Sequence, residues 1–228
     1  GFQRVVLISD ELRKIYSTEY PWLPEKRKLV AHDGADPIDL SEIRVRPLGR
    51  EGVLQVGYVG SFWPGYGIGL VERLAAEMPD VDFNVIGGDP EQVEERRGRA
   101  TELKNLRFHG FVAPAELPDY YAAIDLVLAP YQKDAPHIEW ISPMKLFEYM
   151  ANGKAIVCSD FPVMREIIDH GRCGLLVPAD DLEAWKSAIR RLSDVNFRAK
   201  FGQPASRKLA SEFTWETRAR NVLNGVPS

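Results

Sequence analysis

The residues best suited to chemistry lie in Ile141-Ser142-Pro143-Met144-Lys145-Leu146-Phe147-Glu148-Tyr149-Met150-Ala151-Asn152-Gly153. Ser142 is a good N-cap, Pro143 suits a first helical position and Gly153 stops a helix, so the spacing predicts one helix with legible ends. Lys145 then falls in the first turn, where the helix dipole disfavours a cation. A diphosphate bound at that helix end reverses the sign, because the ammonium and free N–H groups converge on one anion. Glu148 lies three residues on, roughly on the same face, and a carboxylate there can accept two hydrogen bonds from vicinal hydroxyls such as those of a ribose. The alternative is a solvated surface lysine, or a Lys145–Glu148 pair at i, i+3.

Two glycine-bearing segments could bring backbone N–H groups to a phosphate. One is Gly57-Tyr58-Val59-Gly60-Ser61-Phe62-Trp63-Pro64-Gly65-Tyr66-Gly67-Ile68-Gly69, and the other is Gly87-Gly88-Asp89-Pro90. Neither is a P-loop, since no Gly-Lys-Ser/Thr follows, and G-x-G-x-x-G is not met in a usable register. Tight strand-to-helix connections are the plainer account of both. Asp80-Val81-Asp82 spells a metal-binding D-x-D but precedes a strand, the wrong edge for ligands. His109 ends a strand candidate and is expected to be structural or solvated. Tyr120, Tyr121, Phe147 and Tyr149 are expected in core or interface rather than as stacking platforms.

Composition narrows the partners. The chain has 228 residues, with 29 Lys and Arg against 33 Asp and Glu, a net charge of −4. No global positive field favours nucleic acid or an anionic membrane, so any anion site is local. Cys158 and Cys173 are too few for a disulfide framework and suggest free thiols in a reducing compartment. No run is apolar enough for a membrane span, residues 1–9 lack the pattern of a signal peptide, and the absent initial Met suggests a processed piece.

The elements that must position these residues follow from periodicity. Strand candidates are 4–9, 28–32, 54–59, 83–86, 106–108, 126–129, 155–158 and 174–177. From the fifties onward they alternate with amphipathic helices, such as one carrying Leu70, Val71, Leu74, Ala75 and Met78 on one face. That alternation predicts an α/β fold, a doubly wound Rossmann-like parallel sheet covered on both faces. Asp33-Gly34-Ala35-Asp36-Pro37 reads as a hinge. The tail reads as helical, interrupted at Pro204 and again at Phe213-Thr214-Trp215, with a last helix ending near Asn224-Gly225.

S-P-M-K-L-F-E-Y-M-A-x-G-K-A-I-V, then S-D-x-P-x-x-R-E-I-I and G-L-L-V-P-A-D-D, resembles the donor-binding half of a family 4 (group 1) glycosyltransferase with the GT-B fold. V-G-Y-V-G-S-F, V-I-G-G-D, R-F-H-G-F-V, Y-Y-A-A-I-D-L-V-L-A-P-Y and F-T-W follow the family order, from about Ala31 to the C-terminus. The resemblance implies that Glu148 holds the nucleotide ribose. Ser142, Met144, Lys145 and Leu146 would cradle the diphosphate and donor sugar. Gly60, Ser61 and Phe62, with Gly87, would face the phosphates, and Phe111 and Val112 would meet the base. It implies residues 1–36 as the edge of the acceptor-side domain with its linker, 37–212 as the donor domain, and 213–228 as a helix returning toward the first domain.

The implied activity is retaining transfer from a nucleoside-diphosphate sugar to a saccharide, lipid-linked or other acceptor. No cofactor or metal is implied, and the location would be cytoplasmic, or peripheral at the inner membrane through the missing half. A second polypeptide or missing segment would complete the acceptor side, which carries the family's catalytic histidine, and strands 4–9 and 28–32 would pair with it. Two departures stand out. Eight residues before Glu148 is Trp140, with Glu139 one position out of register, and Ser61 and Tyr66 stand where many members carry Arg and Lys. A 2-epimerase-like or non-catalytic nucleotide-sugar module, or an interaction domain with a vestigial site, are the other possibilities.

Overall fold

The computed structural model describes residues 4–39 and 43–224. The chain begins with β1 (Val5–Leu7), α1 (Asp10–Glu19) and β2 (Lys28–Val30). The Ser9 hydroxyl caps α1 by accepting the Leu12 N–H at 3.1 Å. Strands β1 and β2 pair with each other, in parallel, with Val5 opposite Lys28 and Leu7 opposite Val30. They form a two-stranded sheet separate from the main one.

The main domain runs β3 (Gln55–Val59), α2 (Ile68–Glu77), β4 (Asp82–Ile86), α3 (Pro90–Arg99), β5 (Leu106–Gly110), α4 (Leu117–Ala122) and β6 (Leu126–Ala129). It continues through α5 (Met144–Ala151), β7 (Ala155–Ser159), α6 (Pro162–Arg165), β8 (Leu175–Val177) and α7 (Leu182–Ser193), and closes with α8 (Val195–Glu212) and α9 (Trp215–Leu223). The strand order is β5-β4-β3-β6-β7-β8, with every neighbouring pair parallel. Alternate residues serve opposite faces: Leu126 and Leu128 join the core that holds Leu74, Phe83 and Trp185, while Val127 and Ala129 join the one that holds Leu146, Phe147 and Met150. Every residue of β3, β4, β6 and β7 is buried, as a doubly covered parallel sheet requires. The order reverses between β3 and β6, which opens a crevice at their carboxyl ends, where ligands of such sheets bind.

The tail departs from expectation. Pro204 lies inside a continuous α8 rather than ending a helix. Proline removes one backbone hydrogen bond there, but Phe201, Gly202, Ala205 and Leu209 are buried on the same helix, and this packing outweighs the loss. After the break at Phe213, α9 turns back to the start of the chain. Arg218 pairs with Asp33 at 3.1 Å and donates to the Ala31 carbonyl, and Arg4 donates to the Asn224 carbonyl at 2.7 Å. Helix α9 ends at Leu223, and Gly225 lies outside the described residues.

Glu166, just after α6, fastens the first segment to the main domain. Its carboxylate accepts the N–H groups of Asp10 and Glu11 at 2.7 and 2.9 Å and contacts His32 Nε2 at 2.7 Å. Partial burial works to raise the Glu166 pKa, but these bonds, led by His32, prevail and hold it below the usual carboxylate value. A depressed carboxylate contributes stability above its unfolded pKa and loses it as pH falls through the folded one. Glu166→Gln is expected to loosen β1 and α1 by about 1.5–3 kcal/mol, the range for charge-assisted bonds. Hydrogen exchange at Val6 and Leu7 should accelerate while β6 stays protected; unchanged exchange at β1 would refute the clamp.

Candidate functional site

Three loops leave the carboxyl ends of β3, β4 and β5 and are tied side by side. The Gly60 N–H donates to the Ile86 carbonyl at 2.9 Å, and the Gly87 N–H donates to the Gly110 carbonyl at 2.7 Å. Gly87 needs its residue type twice over: its φ is +108°, and a Cβ there would run into the Gly60 carbonyl oxygen. Opposite these loops, α5 is fixed across the crevice by Tyr149. Its buried hydroxyl takes the Val59 N–H at 3.1 Å and reaches the Val59 and Leu128 carbonyls at 3.2 and 3.1 Å. One side chain thus sets α5 against both strands of the switch point.

Between loops and helix lies a cavity of about 390 Å³, within the range of small-molecule sites. Of the residues singled out from sequence, Gly60, Ser61, Phe62, Gly87, Phe111, Val112 and Glu148 line it. Phe111, at the cavity edge, is 78% exposed, whereas Phe62 is buried. Glu148 presents an exposed side chain at the wall. Protein crowding around its carboxyl raises the pKa, with nearby Lys145 opposing.

The start of α5 differs from expectation. The helix begins at Met144, with Pro143 as cap residue, and the Ser142 hydroxyl makes no capping bond; its Oγ lies 3.9 Å from the Met144 sulfur. Pro143 has ψ of 76°, outside the helical range, so it cannot be the first helical residue. The N–H groups of Met144 and Leu146 close on the carbonyls of Ser142 and Pro143 at 3.0 and 2.8 Å. Leu146 is wholly buried in the apolar core. Ser142, Met144 and Leu146 are therefore not brought to the cavity wall, and the two engaged amides are not spare donors.

Lys145 is neither solvated nor bonded to Glu148. It is 7% exposed, and its Nζ has no hydrogen-bond partner. The amine lies among three aromatic rings, 4.2 Å from the centre of Tyr58, 4.9 Å from Tyr131 and 5.3 Å from Tyr66. It sits directly behind the glycine loop, for a Cβ on Gly60 would come within 3.2 Å of it. Burial lowers its pKa to about 7, against smaller opposing effects from Cys158 and Glu148.

Trp63, Asp89 and Gln92 also line the cavity and were not singled out from sequence. The signal was present: Trp63 interrupts a glycine loop, and Asp89-Pro90 opens a helix straight after Gly87-Gly88, with Gln92 at the capping-box spacing. Glu139 instead borders a separate cavity with Glu11, Lys14 and Phe161. Asp82 is buried at the amino end of β4, taking the Arg50 N–H at 2.6 Å and pairing with Arg50 and Arg107, while Asp80 pairs with Arg190. The D-x-D is structural. His109 bonds Asn84 at 2.9 Å, and burial lowers its pKa. Tyr121, Phe147 and Tyr149 are core residues, and Tyr120 packs on His109 and under Arg46. Among the described residues no cluster of three or more His, Cys, Asp or Glu could hold a metal, and no helix is long and apolar enough to cross a membrane.

Comparison with known proteins places this geometry. The chain is 28% identical over 158 residues to a phosphatidyl-myo-inositol mannosyltransferase of Mycolicibacterium smegmatis, covering 68% of this chain and 39% of that one. It therefore spans well under half the length of that relative. Its fold matches sucrose-phosphate synthase from Thermosynechococcus elongatus with a TM-score of 0.73 at 20% identity, covering 98% of this chain and 57% of the other. It matches Anabaena Alr3699/HepE, solved in complex with UDP-glucose, with a TM-score of 0.74 at 20% identity, covering 97% and 63%. The architecture is that of GT-B glycosyltransferases. The family model described as "Glycosyl transferases group 1" matches residues 54–194, which include the three strand-end loops and α5, and the chain belongs to that family.

Proposed function

We propose that the cavity binds a nucleoside-diphosphate sugar and that the protein transfers the sugar to an acceptor with retention, without a bound metal. One observation carries the class of ligand: three strand-end loops and Glu148 converge on one cavity, with a buried lysine directly behind its glycine wall; retention and metal independence rest on the family resemblance alone. Transfer leaves a diphosphate whose developing charge must be stabilised where it forms. Lys145 supplies that stabilisation, Glu148 holds the ribose hydroxyls, and Phe111 with Val112 meets the base. The UDP-glucose complex of HepE, on the same fold, supports the class of ligand. The acceptor, a glycan or lipid-linked saccharide, is met by the facing domain, of which residues before the hinge form an edge that a further segment or second polypeptide completes.

Glu148→Gln is expected to weaken nucleoside-diphosphate binding by about 1–3 kcal/mol, because the amide accepts fewer hydroxyl bonds than the carboxylate. Calorimetry with UDP and GDP reads this directly; unchanged nucleotide affinity with altered sugar selectivity would remove the ribose role. Ser61 and Tyr66, where many relatives carry cations, favour a second reading, a nucleotide-sugar-binding module that does not transfer. Turnover by the complete protein with a panel of labelled donors separates the two: transfer of any label supports the first, and tight binding without transfer supports the second.

A further inference from the structure

The Lys145 amine carries up to three N–H donors and has no acceptor. Its surroundings come from every side of the crevice: Tyr58 from β3, Tyr66 from the glycine loop, Tyr131 from the segment after β6, Cys158 from β7 and Glu148 from its own helix. Only Glu148 brings a negative charge. The Tyr58 and Tyr131 phenols and the Cys158 thiol are pushed up by burial and stay protonated well above neutral pH, so they neither balance an ammonium nor give it a proton. Ring faces hold a cation, but more weakly than water and carboxylates together. Gly60 lines the cavity and lies against the amine, where a Cβ would come within 3.2 Å of the Nζ.

We propose that Lys145 takes up a proton from solvent when a nucleoside-diphosphate ester binds, so that donor binding at this site is coupled to proton uptake and weakens as the solution turns alkaline. This rests on the functional reading above. With the free amine titrating at about 7, most of it is neutral at pH 8. A diphosphate brings two negative charges to a poorly solvated amine and restores its preference for the charged form. Linkage then requires uptake of about 0.9 proton per ligand bound at pH 8, and a roughly 30-fold loss of affinity between pH 6 and pH 8.5.

Calorimetry tests this on the full chain with UDP-glucose and GDP-mannose, diphosphate esters that do not themselves titrate in this window. Titrations at pH 8 in HEPES and in Tris, buffers of different ionisation heat that bring no phosphate, should give apparent enthalpies that differ by nearly the whole difference in ionisation heat, as uptake of about 0.9 proton requires. Lys145→Met, titrated at concentrations that reach its weakened binding, should give equal heats in the two buffers. Tight binding with equal heats in both buffers, or a persisting difference in Lys145→Met, overturns the inference while leaving the functional reading intact. Failure of every ester to bind overturns both.

Discussion

Lys145→Met is expected to raise the melting temperature of the protein while removing most of its affinity for nucleoside diphosphates. The wild-type amine is buried without a hydrogen-bond acceptor, and removing such an unsatisfied buried donor recovers a desolvation cost of about 1–3 kcal/mol. Methionine fits the slot because it is unbranched, flexible and favourable against aromatic rings, three of which surround it. At this chain length each kcal/mol moves the melting temperature by about 2–4 °C. The sign against pH is fixed. Lys145 titrates near 7 when folded and at its ordinary 10.5 when unfolded, so the unfolded chain binds more protons between these values and wild-type stability gains with rising pH there. The advantage of methionine should therefore be largest below pH 7 and shrink toward pH 10. The same substitution should cost about 1.5–3 kcal/mol of nucleotide binding, the worth of a charge-assisted hydrogen bond. Calorimetric melting at pH 6 and 9, with binding measured at pH 6.5, checks both halves. A destabilised variant, or one that binds as well as wild type, would contradict the account.

The sequence disclosed the site only partly. The type and spacing of Lys145 and Glu148 marked one helix end, and the strand-end glycines marked the facing wall, because hydrophobic periodicity and glycine placement are local properties of a chain. The six strands of the main sheet were legible for the same reason, each found within a residue or two of its bounds. Nothing local says where a long side chain points. Lys145 could have reached solvent, Glu148 or an anion; the structure turns it inward among Tyr58, Tyr66 and Tyr131, brought together from three segments. Pro204 failed as a helix stop for a related reason, since the face that outweighs it packs across a tertiary contact. Ser142 failed as a cap because Pro143 is not helical, and its hydroxyl is left facing a methionine sulfur. The net charge of −4 is consistent with the proposed site, in which the attraction for an anion is assigned to one concealed lysine rather than to a basic surface.

Gly87→Ala is the other substitution with a large expected effect, and it acts on the opposite wall. Two penalties combine at this position. A φ of +108° lies in a region that costs an L-residue about 1–2 kcal/mol. The added methyl would also strike the Gly60 carbonyl oxygen, and overpacking of this kind costs about 1–3 kcal/mol. That carbonyl cannot simply retreat, because the Gly60 N–H is held by Ile86 and the Gly87 N–H by Gly110, so relief must spread the carboxyl ends of β3 and β4. A stability loss of roughly 2–5 kcal/mol follows, with a weaker nucleotide site, since Gly60 and Gly87 both line the cavity. Gly52→Ala isolates the first penalty: its φ is +73°, yet nothing lies within 4 Å of the position a Cβ would take. Denaturant unfolding of the two variants should therefore show Gly52→Ala losing only the conformational part and keeping full nucleotide affinity. Equal losses in both would mean that backbone conformation alone selects glycine at 87, and that the close crossing of the two loops contributes nothing to holding the site.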